Sequence, residues 1–220
     1  MNLEFVRNFP LFCIILTLFS GPLSMISGGR RARYLNLGVI TAVGVMSFLV
    51  LLEVSASGSS YVYRMGHFEA PWGNEIRVGP LEAFLALFFC FVMLLSMIGG
   101  AFERRAELEQ SKENLYYIMV NLLLTSLIAL IYTNDLFTAY VFVEINTISA
   151  CGMIMIKQNG HTLEASVRYM IMSLLGSGML LLGICFLYGL TGHLLMSNIK
   201  ESVAKIAAAG TYHPPLMVAV

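Results

Sequence analysis

The chain has 220 residues, of which 58% are hydrophobic and 12% charged, and its mean hydropathy is +0.78. Soluble domains carry about twice that charged fraction, so the composition excludes an ordinary soluble fold and indicates an integral membrane protein. Thirteen basic and thirteen acidic residues cancel, which leaves no bulk field to attract nucleic acid.

Six apolar runs are long enough to cross a bilayer. The first, Phe9–Ile26, follows Arg7 and superficially resembles a signal peptide, but it is too long for a signal core and further spans follow it. The second is Tyr34–Val54. Residues Ser55–Pro80 then alternate polar and apolar around Tyr61, Val62, Tyr63, Ile76 and Val78, with a Pro71-Trp72-Gly73-Asn74 turn between them. This pattern predicts a short β-hairpin, and its aromatic residues suit a water–lipid interface.

The third span is Leu81–Ala101. The segment Glu103–Glu113 is dense with both charge signs and predicts a solvated loop or helix extension. The fourth span, Leu115–Thr133, and the fifth, Leu136–Ile156, are separated only by Asn134–Asp135, so they form a tight antiparallel pair whose second helix those residues cap. The sixth is Ala165–Leu190, and a seventh starts at Leu216. The expected fold is therefore an all-α membrane protein of six transmembrane helices plus the start of a seventh, with a hairpin between helices 2 and 3.

Alternate connectors hold Arg30, Arg31, Arg33, Arg104, Arg105, Lys112 and Lys157 on one side, against Arg7, Arg64, Arg77, Lys200 and Lys205 on the other. The short basic turn at 28–33 decides the bias. It places the N-terminus and the hairpin outside the cytoplasm of a plasma (inner) membrane.

Cys13, Cys90, Cys151 and Cys185 each stand alone in an apolar run, which predicts small lipid- or core-facing residues rather than a disulfide framework, zinc site or iron–sulfur cluster. His67, His161, His193 and His213 lie in connectors or at span ends, without the facing pairs that a membrane haem needs. The fourteen methionines are scattered through the spans and read as packing residues. No cofactor or metal is expected.

Glu144 is the informative charge. It lies about ten residues from either end of Asn134–Ile156, roughly 15 Å along a helix and near the middle of a bilayer. A carboxyl there costs on the order of 2.5–3.5 kcal/mol to insert, so it is paired, protonated, or engaged in moving ions. Tyr140, Thr147 and Ile148 share its helix face by i±3 and i±4 spacing. The bland alternative is a protonated carboxyl bonded across a helix interface.

Arg168 is the second intramembrane charge. It reads either as a side chain that snorkels to the interface or as a fixed cation that biases Glu144; arginine stays protonated, so it would tune a proton path rather than carry a proton. Ser173 and Ser177, beside Gly176 and Gly178, read as a close-packing stripe or as a hydroxyl relay. Glu53, Glu82 and Glu164 lie near span ends and read as interfacial anchors, with an ion-path role for Glu82 as the alternative.

Three stretches carry a resemblance. They are Gly66–Leu81 (GHFEAPWGNEIRVGPL), Asn134–Ala150 (NDLFTAYVFVEINTISA), and Glu164–Gly178 (EASVRYMIMSLLGSG) running into Leu187–Leu194 (LYGLTGHL). In order and spacing they resemble the antiporter-like membrane subunits shared by respiratory complex I, Mrp-type cation/proton antiporters and membrane-bound hydrogenases. The resemblance implies that Glu144 matches the family's fifth-span glutamate, a proton-relay residue, and that Arg168 falls where a sixth-span lysine is common. It implies about fourteen spans in two inverted repeats, of which this chain carries only the first part, without the partner lysine of the seventh span. The family commonly has an acid just before the third span, where this chain has Gly79; Glu82 is the candidate substitute.

The resulting expectation divides the chain into helices 1–3 with the hairpin (1–114) and the first part of an antiporter-like repeat (115–220). Its function is translocation of protons, or exchange of sodium for protons, by a subunit of a larger membrane complex. The expected partners are the lipid bilayer, neighbouring membrane subunits, H+ and Na+. A structural or truncated subunit without transport of its own is the alternative. A stand-alone solute carrier is disfavoured, because the sequence has one clear central charge and no internal repeat.

Overall fold

The computed structural model describes residues 3–65, 74–101, 108 and 112–208. The elements in chain order are α1 (Leu3–Val6), α2 (Phe9–Ser27), α3 (Gly29–Ser57), β1 (Tyr61–Arg64), β2 (Glu75–Val78), α4 (Pro80–Gly99), α5 (Glu113–Tyr132), α6 (Leu136–Ile154), α7 (Gly160–Thr191) and α8 (Met196–Ala208). Helices α2 to α7 are each long and apolar enough to cross a membrane. The six expected spans are therefore present, and the chain is a multi-pass membrane protein.

Local chemistry sets the boundaries. Gly28 alone joins α2 to α3 and adopts φ +66°, a conformation that costs a side chain but not glycine. Pro80 opens α4, where its missing N–H would have no helical partner in any case. Asp135 caps α6, its Oδ1 accepting from the Thr138 N–H at 2.7 Å. Asn159 and Thr162 form a reciprocal capping box at the start of α7.

Helices α2, α3, α4 and α5 form a bundle around Ile40, Val43, Val50, Leu124, Ile128 and Tyr132, all at most 1% exposed. In lipid, apolar burial alone does not drive helices together, so close approach and interhelical hydrogen bonds must. Small buried residues line this interface, among them Cys13, Ser20, Ser24, Ala83 and Ala86. Asn36 and Asn121 both donate to the Ser24 hydroxyl, at 3.0 and 3.4 Å, linking three helices. Helix α6 packs on α5, and α7 on α6. Phe19, Ile26, Phe91, Met172, Leu175 and Met179 point outward, as a lipid environment permits.

The two strands pair antiparallel in the register Tyr61↔Val78 to Arg64↔Glu75. The hairpin docks on the α5–α6 turn, where Ile76 bridges Thr133 and the Asn134 N–H donates to the Glu75 carbonyl at 2.9 Å. That turn in turn pairs with 194–196: Asp135 bridges Leu195, and the Met196 N–H donates to the Asn134 carbonyl at 2.8 Å.

Several expectations are revised. Helix α7 begins at Gly160 and spans 32 residues, so Arg168 lies two turns inside it rather than one. Residues 196–208, expected as a connector, form α8, a short helix with Ile199 buried on one side and Lys200, Glu201 and Lys205 exposed on the other. Gly176 and Gly178 do not mediate close packing within this chain, since an added Cβ on either would meet nothing within 4 Å. The 66–73 turn, most of Glu103–Glu113 and the seventh span expected at Leu216 lie outside the described residues.

Candidate functional site

Glu144 sits in α6, eight residues beyond Leu136, so about 12 Å into the helix. Its residue is half-buried, and its Oε1 is buried with no hydrogen-bond partner. Among the described residues no cation lies within ion-pair distance of it. Tyr140, one turn earlier, lies within interaction distance of the Glu144 carboxyl. Of the other face-sharing residues, Thr147 is buried but donates to the Val143 carbonyl at 3.1 Å, and Ile148 is 60% exposed. The site thus has one polar neighbour on its own helix and an open side.

Helix α7 supplies the second wall. Ser166 Oγ donates to the Cys151 carbonyl at 3.2 Å, and Cys151 Sγ lies 4.0 Å from the Ser166 carbonyl, a reciprocal contact that fixes the antiparallel register of α6 and α7. Seven residues, about 10 Å, back along α6 is Glu144; seven forward along α7 is Ser173. Eleven residues on each side likewise pair Tyr140 with Ser177. Steps of seven and of eleven residues both return to nearly the same helix face, so Ser173 and Ser177 stand on the stripe of α7 that faces α6, about level with Glu144 and Tyr140.

The register also decides the direction of Arg168. It lies two residues, hence about 200°, around the helix from Ser166, on the side turned away from α6. There it is exposed and ion-pairs with Glu164 on the same helix. The structure therefore does not bring Arg168 to Glu144.

Residues 133–217 match the family model described as "NADH:quinone oxidoreductase/Mrp antiporter, TM". The chain is 24% identical over 207 residues to a Na(+)/H(+) antiporter subunit from Bacillus subtilis, an alignment that covers 93% of this chain and 41% of that protein. It is 27% identical over 197 residues to an NADH-quinone oxidoreductase subunit from Desulforudis audaxviator, covering 87% of this chain and 38% of the relative. In three dimensions it resembles a chain of the membrane-bound sulfane sulfur reductase, an archaeal respiratory membrane complex, with a TM-score of 0.82 and 22% identity over 98% of this chain and 42% of that one.

Over residues 133–217 the chain is similar to the antiporter-like membrane subunits. It spans about two-fifths of the length of the relatives it matches. The family match begins at the α5–α6 turn and takes in Glu144, Ser173 and Arg168; α2 to α5 lie outside it.

Sequence reasoning missed two features. Glu75, a hairpin residue, is 7% exposed and joins Arg64 to Asn134, with Arg64 Nε at 3.1 Å and Asn134 Nδ2 at 3.4 Å from its two carboxylate oxygens. Nothing in a four-residue strand pattern announces a buried acid. The other is Tyr132, fully buried at the end of α5 with no hydrogen-bond partner for its hydroxyl. A tyrosine at a span end reads as an interface residue unless its packing is known.

Proposed function

We propose that this chain is an ion-translocating, antiporter-like part of a larger membrane complex, and that Glu144 is its intramembrane proton relay. The observation that carries this reading is a mid-span carboxyl with a buried, unpartnered oxygen. Such a group must be protonated, hydrated or paired, and moving between these states changes its proton affinity. Tyr140, Ser173 and Ser177 would carry the hydrogen-bonded route on the α6–α7 side. Arg168 would act at most on a neighbour that packs against the outer face of α7.

The transported ion would be H+, with Na+ as the exchanged ion by analogy with the Bacillus relative. The partners would be other membrane subunits, which would also carry any redox chemistry. The membrane would be the cell (inner) membrane, with the N-terminus and hairpin outside, and the relay part would start near residue 115, with 1–114 as its helical support. Support for these finer points comes from the basic turn at 28–33 and the start of the family match at residue 133.

The test is ion transport by the assembled complex in vesicles. Glu144→Gln should abolish coupled translocation while the complex still assembles; normal transport by that variant would refute the relay. A structural role is the second reading, favoured by the lack of a cation near Glu144 among the described residues. It would be upheld if Glu144→Gln left transport intact and deletion of the chain dissolved the complex.

A further inference from the structure

The α2–α5 bundle has a second group of buried polar atoms, at the hairpin end. Tyr132 is fully buried and its hydroxyl has no hydrogen-bond partner. Around it, within electrostatic reach, stand Cys13 of α2, Tyr61 of β1, and Glu82 and Cys90 of α4. Tyr61 in turn neighbours Glu53 of α3 and Arg7. Glu53 is nearly buried, with one carboxylate oxygen 3.7 Å from Arg7 Nε and the other buried without a partner. Ser47 of α3 has a buried hydroxyl that stands close to the Cys13 and Cys90 thiols. The Glu82 carboxylate folds back over Gly79, in the space a side chain at position 79 would fill.

Two orphaned polar atoms in one region, the Tyr132 hydroxyl and a Glu53 carboxylate oxygen, are costly in a dry interior, on the order of 1–3 kcal/mol each. Water in contact with both of them removes that cost. Arg7 pairs with Glu53, whereas Glu82 has no ion-pair partner among the described residues.

We propose that Glu82, Tyr132, Tyr61 and Glu53 form a second proton-holding site, in which one proton is shared through bound water at the hairpin end of the α2–α5 bundle. Binding moves a proton from water onto this carboxyl–phenol–water group and release reverses it, so no other reactant is needed. Gly79 leaves room for the folded-back Glu82 carboxylate, which a side chain at position 79 would displace. The Arg7–Glu53 pair fixes the other end, and Ser47 extends the polar surface toward Cys13 and Cys90. The site stands apart from Glu144 and does not depend on its role.

Infrared titration of the assembled complex in lipid vesicles tests this, with Glu144→Gln as the background so that the two carboxyls do not overlap. A carboxyl component should remain in Glu144→Gln, disappear in Glu144→Gln/Glu82→Gln, and shift its midpoint by roughly half a pH unit or more when Tyr132→Phe removes the hydroxyl. Tyr132→Phe keeps the ring volume, so the test survives if the Glu82 variant fails to fold. Absence of the component, or its indifference to Tyr132→Phe, would overturn the site. Displacement of the component by sodium at fixed pH would overturn it in favour of a metal-cation site.

Discussion

Asn134 Nδ2 lies 3.4 Å from Glu75 Oε2 and 3.3 Å from Ser197 Oγ, so one amide ties the hairpin to the start of α8 through the turn that opens α6. The backbone of the same residue donates to Glu75 and accepts from Met196. This clamp holds both ends of the α6–α7 pair, and so holds Glu144 at a fixed depth relative to the bundle. Asn134→Ala should cost about 1–3 kcal/mol, because it leaves a buried carboxylate oxygen without its amide partner. Thermal unfolding of the purified complex should show it as a lower midpoint. Asn134→Asp, which sets a second carboxylate against Glu75, should be worse; equal stability of the two variants would refute the clamp.

The level pairing of Ser173 with Glu144 rests on the Cys151–Ser166 contact seven residues away. If the Ser173 hydroxyl relays protons to the carboxyl, Ser173→Ala should slow transport several-fold, about 3- to 10-fold, by the usual worth of one hydrogen bond. Ser173→Thr should restore most of the rate, since it returns a hydroxyl. A rate that follows side-chain volume rather than the hydroxyl would point to packing instead.

Arg168 should matter much less. It is exposed and, among the described residues, pairs with Glu164, one turn away. Exposed i,i+4 pairs contribute about 0.3–0.5 kcal/mol. Arg168→Gln should therefore leave stability nearly unchanged and lower transport by about twofold or less. A loss as deep as that of Glu144→Gln would show that a neighbouring subunit uses this cation.

The spans were legible because each is a long apolar run, and the hairpin because Tyr61, Tyr63, Ile76 and Val78 alternate around a turn. Glu144 was legible because an isolated charge in such a run has a high cost. The direction of Arg168 was not, since hydropathy says nothing about which side of a helix meets its neighbour; only the Ser166–Cys151 contact fixes that. Helix α8 was missed because a short amphipathic segment lacks the apolar length that marks a span. The orphaned hydroxyl of Tyr132 and the folded-back Glu82 depend on which helices meet at the hairpin end, and a pairing of four separate segments leaves no local pattern.

Tyr61 offers a test by pH. It lies in β1, outside the spans; its ring faces Arg7 at 5.6 Å and its hydroxyl donates to the Arg7 carbonyl at 3.4 Å. Burial raises its pKa above the ordinary value of 10.0, the nearby Glu53 carboxylate raises it further, and Arg7 offsets part of the rise. The docked state therefore favours the neutral phenol. The stability this contributes is complete below the free tyrosine's value near 10 and is lost as pH rises through the higher folded value. Tyrosinate absorbance of the intact complex should show a slow-ionising component in the wild type that is smaller by one tyrosine in Tyr61→Phe. Protease cleavage in the hairpin should rise with alkalinity in the wild type and stay flat in Tyr61→Phe. An ordinary phenol titration near pH 10 with no change in cleavage would show that the hairpin is not held by a neutral Tyr61.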